Sequence, residues 1–362
     1  MSNTLFKRIL VIKFWALGDI LMATPILSSL RKLYPGCHIT WMADTQYAGI
    51  LEGNPFIDEI ISFDSGPWRR DYRFGRWVKY LATSLKIRNQ LRDSSYDLTI
   101  SMMADKWWAL WFLTAPLSVG LFGSSTPGWL GRFYTHALPT PTTPKQHNTD
   151  IYLQAVQVLG APQPFDKRMI CCPTDKEAGT ARLKLGERAG EEFDPLVAVS
   201  PFSTAENRNW PISKYRQLVH WLIESYGATV LMMVGPRDKD RVADLILGLP
   251  EEHVLLIDKV SVAEYAALVS SCHLMISGDS SPMHIAAAGG VPYIALFGTT
   301  PHDLRAPLVG RGVCVYKHLE CAPCDRDTCS NPEFRKCMNL IELSDVQAAV
   351  KEMLGQYDCP EH

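Results

Sequence analysis

The sequence has no marked surplus of charge, no apolar run of membrane-spanning length and no export signal, and each absence narrows what it can do. With 36 Lys and Arg against 38 Asp and Glu the net charge is −2, which argues against a general nucleic-acid binder. The apolar stretch at residues 5–12 is too short for a secretory signal, and Lys7, Arg8 and Lys13 interrupt or bound it. The most apolar long segment, residues 107–123, carries Pro116 and falls short of the roughly 20 residues a spanning helix needs. It reads as a buried helix followed by a strand. Without export, the ten cysteines are expected to be mostly reduced thiols in a cytoplasmic protein.

What is present suffices for two cores. The chain has 362 residues, 47% of them hydrophobic, so two domains are the natural expectation. Charge is unevenly spread: residues 1–150 hold 16 Lys and Arg against 11 Asp and Glu, and the remainder 20 against 27. A basic first half suggests an anionic partner there.

Residues 9–13, Ile-Leu-Val-Ile-Lys, form an apolar strand fit for burial on both faces, and the loop 14–19 follows it. Residues 20–33 have helical apolar spacing, with Pro25 making the first turn irregular. Further strands are expected at 38–43, 57–63 and 96–101, the alternation of an open parallel sheet. The Pro- and Thr-rich stretch 139–148 looks like the approach to a linker, which sets the expected domains at 1–150 and 151–362. A helix at 151–159 precedes a second α/β series, with strands at 196–200, 229–234 and 254–257 and helices at 214–226, 238–247 and 262–270.

That series runs into residues 273–298, the most informative stretch. A strand at 273–277 ends in Gly278-Asp279-Ser280-Ser281, a helix is expected from Pro282, Gly289-Gly290 stops it, and a strand at 293–297 follows. In a parallel sheet such a loop lies at the carboxyl end of its strand, with backbone N–H groups turned outward for a di- or triphosphate. His284 could donate a charge-assisted hydrogen bond to that anion, and Asp279 could hold hydroxyls of a ribose or sugar. The plainer alternative is a capped helix with an exposed histidine.

Other candidates carry their own alternatives. Asp19 ends a glycine-containing loop at a helix start, where a carboxylate can take a proton from a bound hydroxyl or simply cap the helix. Ser203, Thr204 and Arg208 follow a strand and could reach a phosphate or sugar, the guanidinium bidentately; an exposed loop arginine is the bland reading. Residues 67–92 interleave cations, Arg69, Arg70, Arg73 and Arg76 among them, with aromatics, as a surface for anionic lipid or a phosphorylated glycolipid would, or as a solvated helix would. Cys321, Cys324, Cys329 and Cys337 are close enough to hold structural zinc or an iron–sulfur cluster, to form a labile disulfide pair, or to stay unlinked. Asp238-Lys239-Asp240 nominally fits the Asp-x-Asp of metal-dependent transferases but reads better as an exposed helix start.

Together, residues 9–13 with Leu17-Gly18-Asp19-Ile20, the Arg208-Asn209-Trp210-Pro211 element, Asp279 to His284, and Leu296-Phe297-Gly298-Thr299 resemble glycosyltransferase family 9, which includes the lipopolysaccharide core heptosyltransferases. The resemblance runs from about residue 8 to about residue 350. It implies a GT-B architecture: two Rossmann-like α/β domains with parallel sheets facing across a cleft, acceptor on the first and nucleotide-sugar donor on the second. It also implies inverting transfer with no cofactor or metal, typically from ADP-heptose to a lipopolysaccharide core or related anionic glycolipid, at the inner face of the cytoplasmic membrane. By position, Asp19 matches the family's base, Arg208 stands where a Lys contacts the donor, and Asp279, Ser280, Ser281 and His284 match the donor loop. Ser281 replaces a usual Gly, and Pro236-Arg237-Asp238 occupies the place of an acidic donor contact. A nucleotide-sugar epimerase on the same plan, and a non-catalytic nucleotide-sugar-binding protein, are the alternative functions.

Overall fold

The structure is a computed structural model and describes residues 6–66, 77–123, 128–140, 146–186 and 195–355, without the side chains of 77–80 and 236. The chain divides into two units, Met1–Ile170 and Cys171–His362.

The first unit is a parallel sheet of six strands: β1 (Arg8–Ile12), β2 (His38–Asp44), β3 (Glu59–Phe63), β4 (Leu98–Ser101), β5 (Leu117–Phe122) and β6 (His136–Pro139). Their order is β3-β2-β1-β4-β5-β6. The chain starts in the middle, builds outward to β3, then returns to the other side of β1. β1 therefore has a parallel neighbour on each edge, Val11 standing opposite Trp41 and Ile100. Its residues Ile9 to Ile12 are fully buried, as an uninterrupted apolar run requires. The loop after β1 is pinned by Phe14, fully buried, whose ring meets Phe63 at 5.6 Å and Trp108 at 5.3 Å.

The second unit repeats the plan with β7 (Leu196–Ser200), β8 (Thr229–Met233), β9 (Val254–Ile257), β10 (Leu274–Gly278), β11 (Tyr293–Phe297) and β12 (Gly312–Tyr316), ordered β12-β11-β10-β7-β8-β9. Here β7 and β10 are the pair at which the winding reverses. Ligands of such sheets bind outside the carboxyl ends of the strands at that reversal. Helix Ile212–Tyr226 packs on this core through Tyr215, Leu218, Val219 and Leu222, and Trp210 anchors its approach by donating from Nε1 to the Ile341 carbonyl at 2.9 Å.

Several expectations need correction. Residues 20–33 are not one helix: Leu17–Ala23 and Pro25–Leu33 meet at Thr24, because proline cannot continue the hydrogen-bond ladder. The segment 107–123 begins as a 3-10 helix, Trp107–Phe112, that is only partly buried, since Trp107 is 49% exposed. The expected break after residue 150 falls inside helix Asn148–Gln157, which packs on both helices after β1; the division comes after Ile170 instead. Arg69, Arg70, Arg73 and Arg76 lie outside the described residues. The described end of that stretch, in helix Trp77–Asp93, buries Ser84, Ile87 and Leu91 and exposes Lys86 and Arg92.

Candidate functional site

In the first unit a pocket of about 260 Å³ opens beyond the carboxyl end of β1, lined by Lys13, Trp15, Asp19, Lys106, Asn148 and Tyr152 among others. Asp19 sits in the first turn of Leu17–Ala23, and the residue in the capping position is Ala16. Asp19 is therefore not the cap. Its Oδ1 accepts from Asn148 Nδ2 at 3.2 Å, and its Oδ2 lies 3.7 Å from Lys13 Nζ. Lys13 is 8% exposed at the side chain while Asp19 is 31% exposed, so the counter-charge is buried behind a carboxylate open to the pocket. The ammonium also lies 5.1 Å from the centre of the Tyr152 ring, a cation–π distance that fixes it further. One carboxylate oxygen is thus oriented by an amide and the group keeps solvent access, which is what a proton acceptor for a hydroxyl requires.

In the second unit β7 and β10 both deliver loops to the winding reversal. After β10, Asp279 is 8% exposed and receives a hydrogen bond from the Thr300 hydroxyl. Burial raises its pKa above the usual carboxylate value, against the opposing pull of the Thr300 hydrogen bond and of the Arg208 and Arg305 charges. Helix Ser281–Ala288 then begins with Ser280 in the capping position, extended at φ −159° and ψ 172°. Its hydroxyl donates backward to the Gly278 carbonyl at 3.4 Å rather than capping, so no side-chain cap occupies the helix's first N–H groups. His284 is 4% exposed, which corrects the reading of an exposed histidine.

After β7, Arg208 closes the 3-10 helix Glu206–Arg208. Its Nη1 lies 3.5 Å from Asp279 Oδ2 and its Nη2 3.6 Å from Asp327 Oδ1, while its Nε is buried with no hydrogen-bond partner among the described residues. A buried guanidinium donor without an acceptor suits an oxyanion ligand. Gly278 lets the two loops approach: a Cβ there would stand 3.3 Å from the Arg208 carbonyl oxygen. Ser203 shapes its loop, its N–H donating to Asn209 Oδ1 at 2.7 Å and its hydroxyl to the Ala205 carbonyl at 2.8 Å. Thr204 is exposed. Lys239 and Asp240 are exposed at the start of helix Lys239–Ile246, and Asp238 pairs with Arg241 at 3.0 Å, as an ordinary helix start would.

The cysteine cluster does not fit a metal. Among the described residues no group of three or more His, Cys, Asp or Glu side chains is arranged to hold one. Cys321 Sγ accepts from Asn331 Nδ2 at 3.2 Å and Cys329 Sγ from the Arg335 N–H at 3.3 Å. Burial raises the Cys337 pKa, and the three neighbouring thiols push it the same way. All four are free thiols, and nothing in their arrangement supports structural zinc or an iron–sulfur cluster.

Residues 84–335 match the sequence profile of glycosyltransferase family 9 (heptosyltransferase). The chain belongs to glycosyltransferase family 9. Lipopolysaccharide heptosyltransferase 1 of Pseudomonas aeruginosa is 23% identical over 348 residues, covering 94% of this chain and 92% of that protein. A family 9 glycosyltransferase structure from Veillonella parvula superposes with a TM-score of 0.80 at 21% identity, covering 98% of this chain and 100% of the other. The Escherichia coli heptosyltransferase WaaC with ADP gives a TM-score of 0.72 at 19% identity, covering 96% and 99%. The protein is a glycosyltransferase of GT-B fold, with two six-stranded parallel sheets.

In this family 9 chain the sequence motifs named Asp19, Arg208 and Asp279 but passed over their partners. Lys13 had a signal, a lysine ending an otherwise apolar strand; so did Thr300, in the loop after β11. Asn148 had only its place at the edge of a supposed linker.

Proposed function

We propose that this glycosyltransferase moves heptose from ADP-heptose onto a lipopolysaccharide core or related anionic glycolipid, with inversion and without a metal. In this reading the first unit holds the acceptor and the second the donor. Asp19 takes the proton of the acceptor hydroxyl as its oxygen bonds to the anomeric carbon, and the bond from that carbon to the diphosphate breaks with its electron pair leaving on the diphosphate oxygen. Attack opposite the leaving group inverts the anomeric carbon.

Charge on the leaving diphosphate is met by Arg208, by the uncapped amides at Ser281–Ala288 and by His284, with Ser281 and Thr204 as hydroxyl donors and Ser280 joining them once its hydroxyl turns from the Gly278 carbonyl; Asp279 orients sugar or ribose hydroxyls. Ser203 keeps the loop in shape. The observation that carries the reading is the Arg208 guanidinium, its Nε buried without an acceptor, beside a helix start that no side chain caps. The ADP in the Escherichia coli relative supports the choice of nucleotide.

In this reading a lipid-borne acceptor is met at the inner face of the cytoplasmic membrane; no helix among the described residues is long and apolar enough to cross a membrane. A thermal-shift screen of nucleotide sugars tests the donor: ADP-heptose should raise the melting temperature most, and a larger rise with a uridine or guanosine sugar overturns that choice. Turnover undiminished by a chelator, together with NMR assignment of the product anomer, tests the rest. A retained anomeric configuration, or conversion of the donor sugar with no acceptor present, excludes inverting transfer.

A further inference from the structure

Beside the Asp19 pocket the first unit presents large aromatic side chains that its own core does not cover. The 3-10 helix Gly128–Phe133 buries Leu130 but leaves Trp129 52% and Phe133 58% exposed, their rings edge to face at 6.1 Å. The 3-10 helix Trp107–Phe112 adds Trp107, 49% exposed. Both helices seat on one small cluster, Leu130 and Tyr134 from one side and Leu110 and Leu113 from the other, so their exposed aromatics share a ledge. Lys106, directly before Trp107, lines the pocket that contains Asp19.

The charge along this part of the sequence is mainly positive. From residue 106 to residue 149 the sequence has no Asp or Glu; Lys106 pairs with the preceding Asp105, and Arg132 stands between Trp129 and Phe133 in sequence. The whole unit, residues 1–170, carries 18 Lys and Arg against 12 Asp and Glu. Exposed Trp and Phe beside Arg132, on a unit of net positive charge, match the boundary between lipid headgroups and acyl chains.

We infer that Trp107, Trp129 and Phe133 form the surface by which the first unit docks on an anionic bilayer, placing the Asp19 pocket at headgroup level. The role for the pocket rests on the proposed glycolipid acceptor; the docking surface itself does not. Docking of this kind holds the acceptor's saccharide over Asp19 while its chains stay in the bilayer.

The test is sedimentation of the full chain with vesicles of equal parts phosphatidylglycerol and phosphatidylethanolamine, for wild type, the double variant Trp129→Ser/Phe133→Ser and Arg132→Glu. Wild type should bind. The double variant should lose about tenfold or more in affinity and Arg132→Glu a smaller factor that shrinks with added salt. Both variants should melt close to wild type, since these side chains are exposed. Transfer to a bilayer-borne acceptor should fall with vesicle binding, while transfer to a deacylated saccharide acceptor stays unchanged. Vesicle binding equal to wild type in the double variant overturns the inference, as does a wild type that does not bind vesicles. A change in oligomeric state with vesicle binding intact also overturns it and assigns the ledge to a contact between copies. Absence of transfer to any glycolipid removes the acceptor reading and leaves the vesicle result to decide the docking surface.

Discussion

The two units share one strand order, yet the carboxylates at their winding reversals sit in opposite environments. Asp19 follows β1 and keeps 31% of its side chain exposed, oriented by Asn148 with the buried Lys13 behind it. Asp279 follows β10, keeps only 9% of its side chain exposed, and is held by Arg208 and the Thr300 hydroxyl beside an uncapped helix. Sheet topology alone therefore fixes where a ligand lies. What the ligand meets there depends on a few residues at each strand end: in the proposed function one site accepts a proton and the other holds a negative charge.

Substitutions can break that contrast, and the largest effect is expected at Asp19. Asp19→Asn keeps the shape and removes the base, so turnover should fall by about a hundredfold to ten-thousandfold. A loss of less than about tenfold would transfer the base role to another group. Arg208→Ala comes next, with affinity for ADP reduced by roughly tenfold to a hundredfold in a calorimetric titration, the range for a charge-assisted hydrogen bond, about 1.5–3 kcal/mol. Unchanged affinity would show that the guanidinium serves only its ion pairs with Asp279 and Asp327.

Asn148→Ala removes one hydrogen bond to Asp19 and should lower kcat about fivefold at unchanged donor KM, as loss of about 1 kcal/mol implies. Gly278→Ala has the reverse signature. Its Cβ would press on the Arg208 carbonyl oxygen at 3.3 Å, so donor KM should rise a fewfold with kcat nearly kept.

A subtler difference lies in pH. Because the folded-state pKa of Asp279 is raised, chiefly by burial, its contribution to stability is complete below its unfolded pKa and is lost as pH rises through the folded one. Asp279→Asn should therefore gain on wild type in melting temperature as pH rises across that window. A gain as pH falls would reverse the sign and identify the Arg208 pair as the dominant influence.

Much of this was legible because buried parallel strands announce themselves. Residues 9–12, 196–199 and 293–297 are continuous apolar runs, and the loops that follow them carry the site. The edge strands β6 and β12 escaped notice for the complementary reason. His136–Pro139 alternates between half-buried and exposed positions and ends in proline, and Gly312–Tyr316 is buried only at Val315, so neither reads as a core strand. Asn148 reached Asp19 from 129 residues away, a separation that no local pattern encodes. The cysteines showed the opposite failure: close spacing suggested shared ligation, but the fold gives Cys321 and Cys329 separate hydrogen-bond partners and buries Cys337 next to Gly298.

The division of labour between the units is tested most directly by titrating ADP into Asp19→Asn and Arg208→Ala side by side. The account expects Asp19→Asn to bind ADP within about twofold of wild type and Arg208→Ala to bind it at least about tenfold more weakly. Equal losses in both variants, or the larger loss in Asp19→Asn, would contradict a nucleotide held by the second unit and a base supplied by the first.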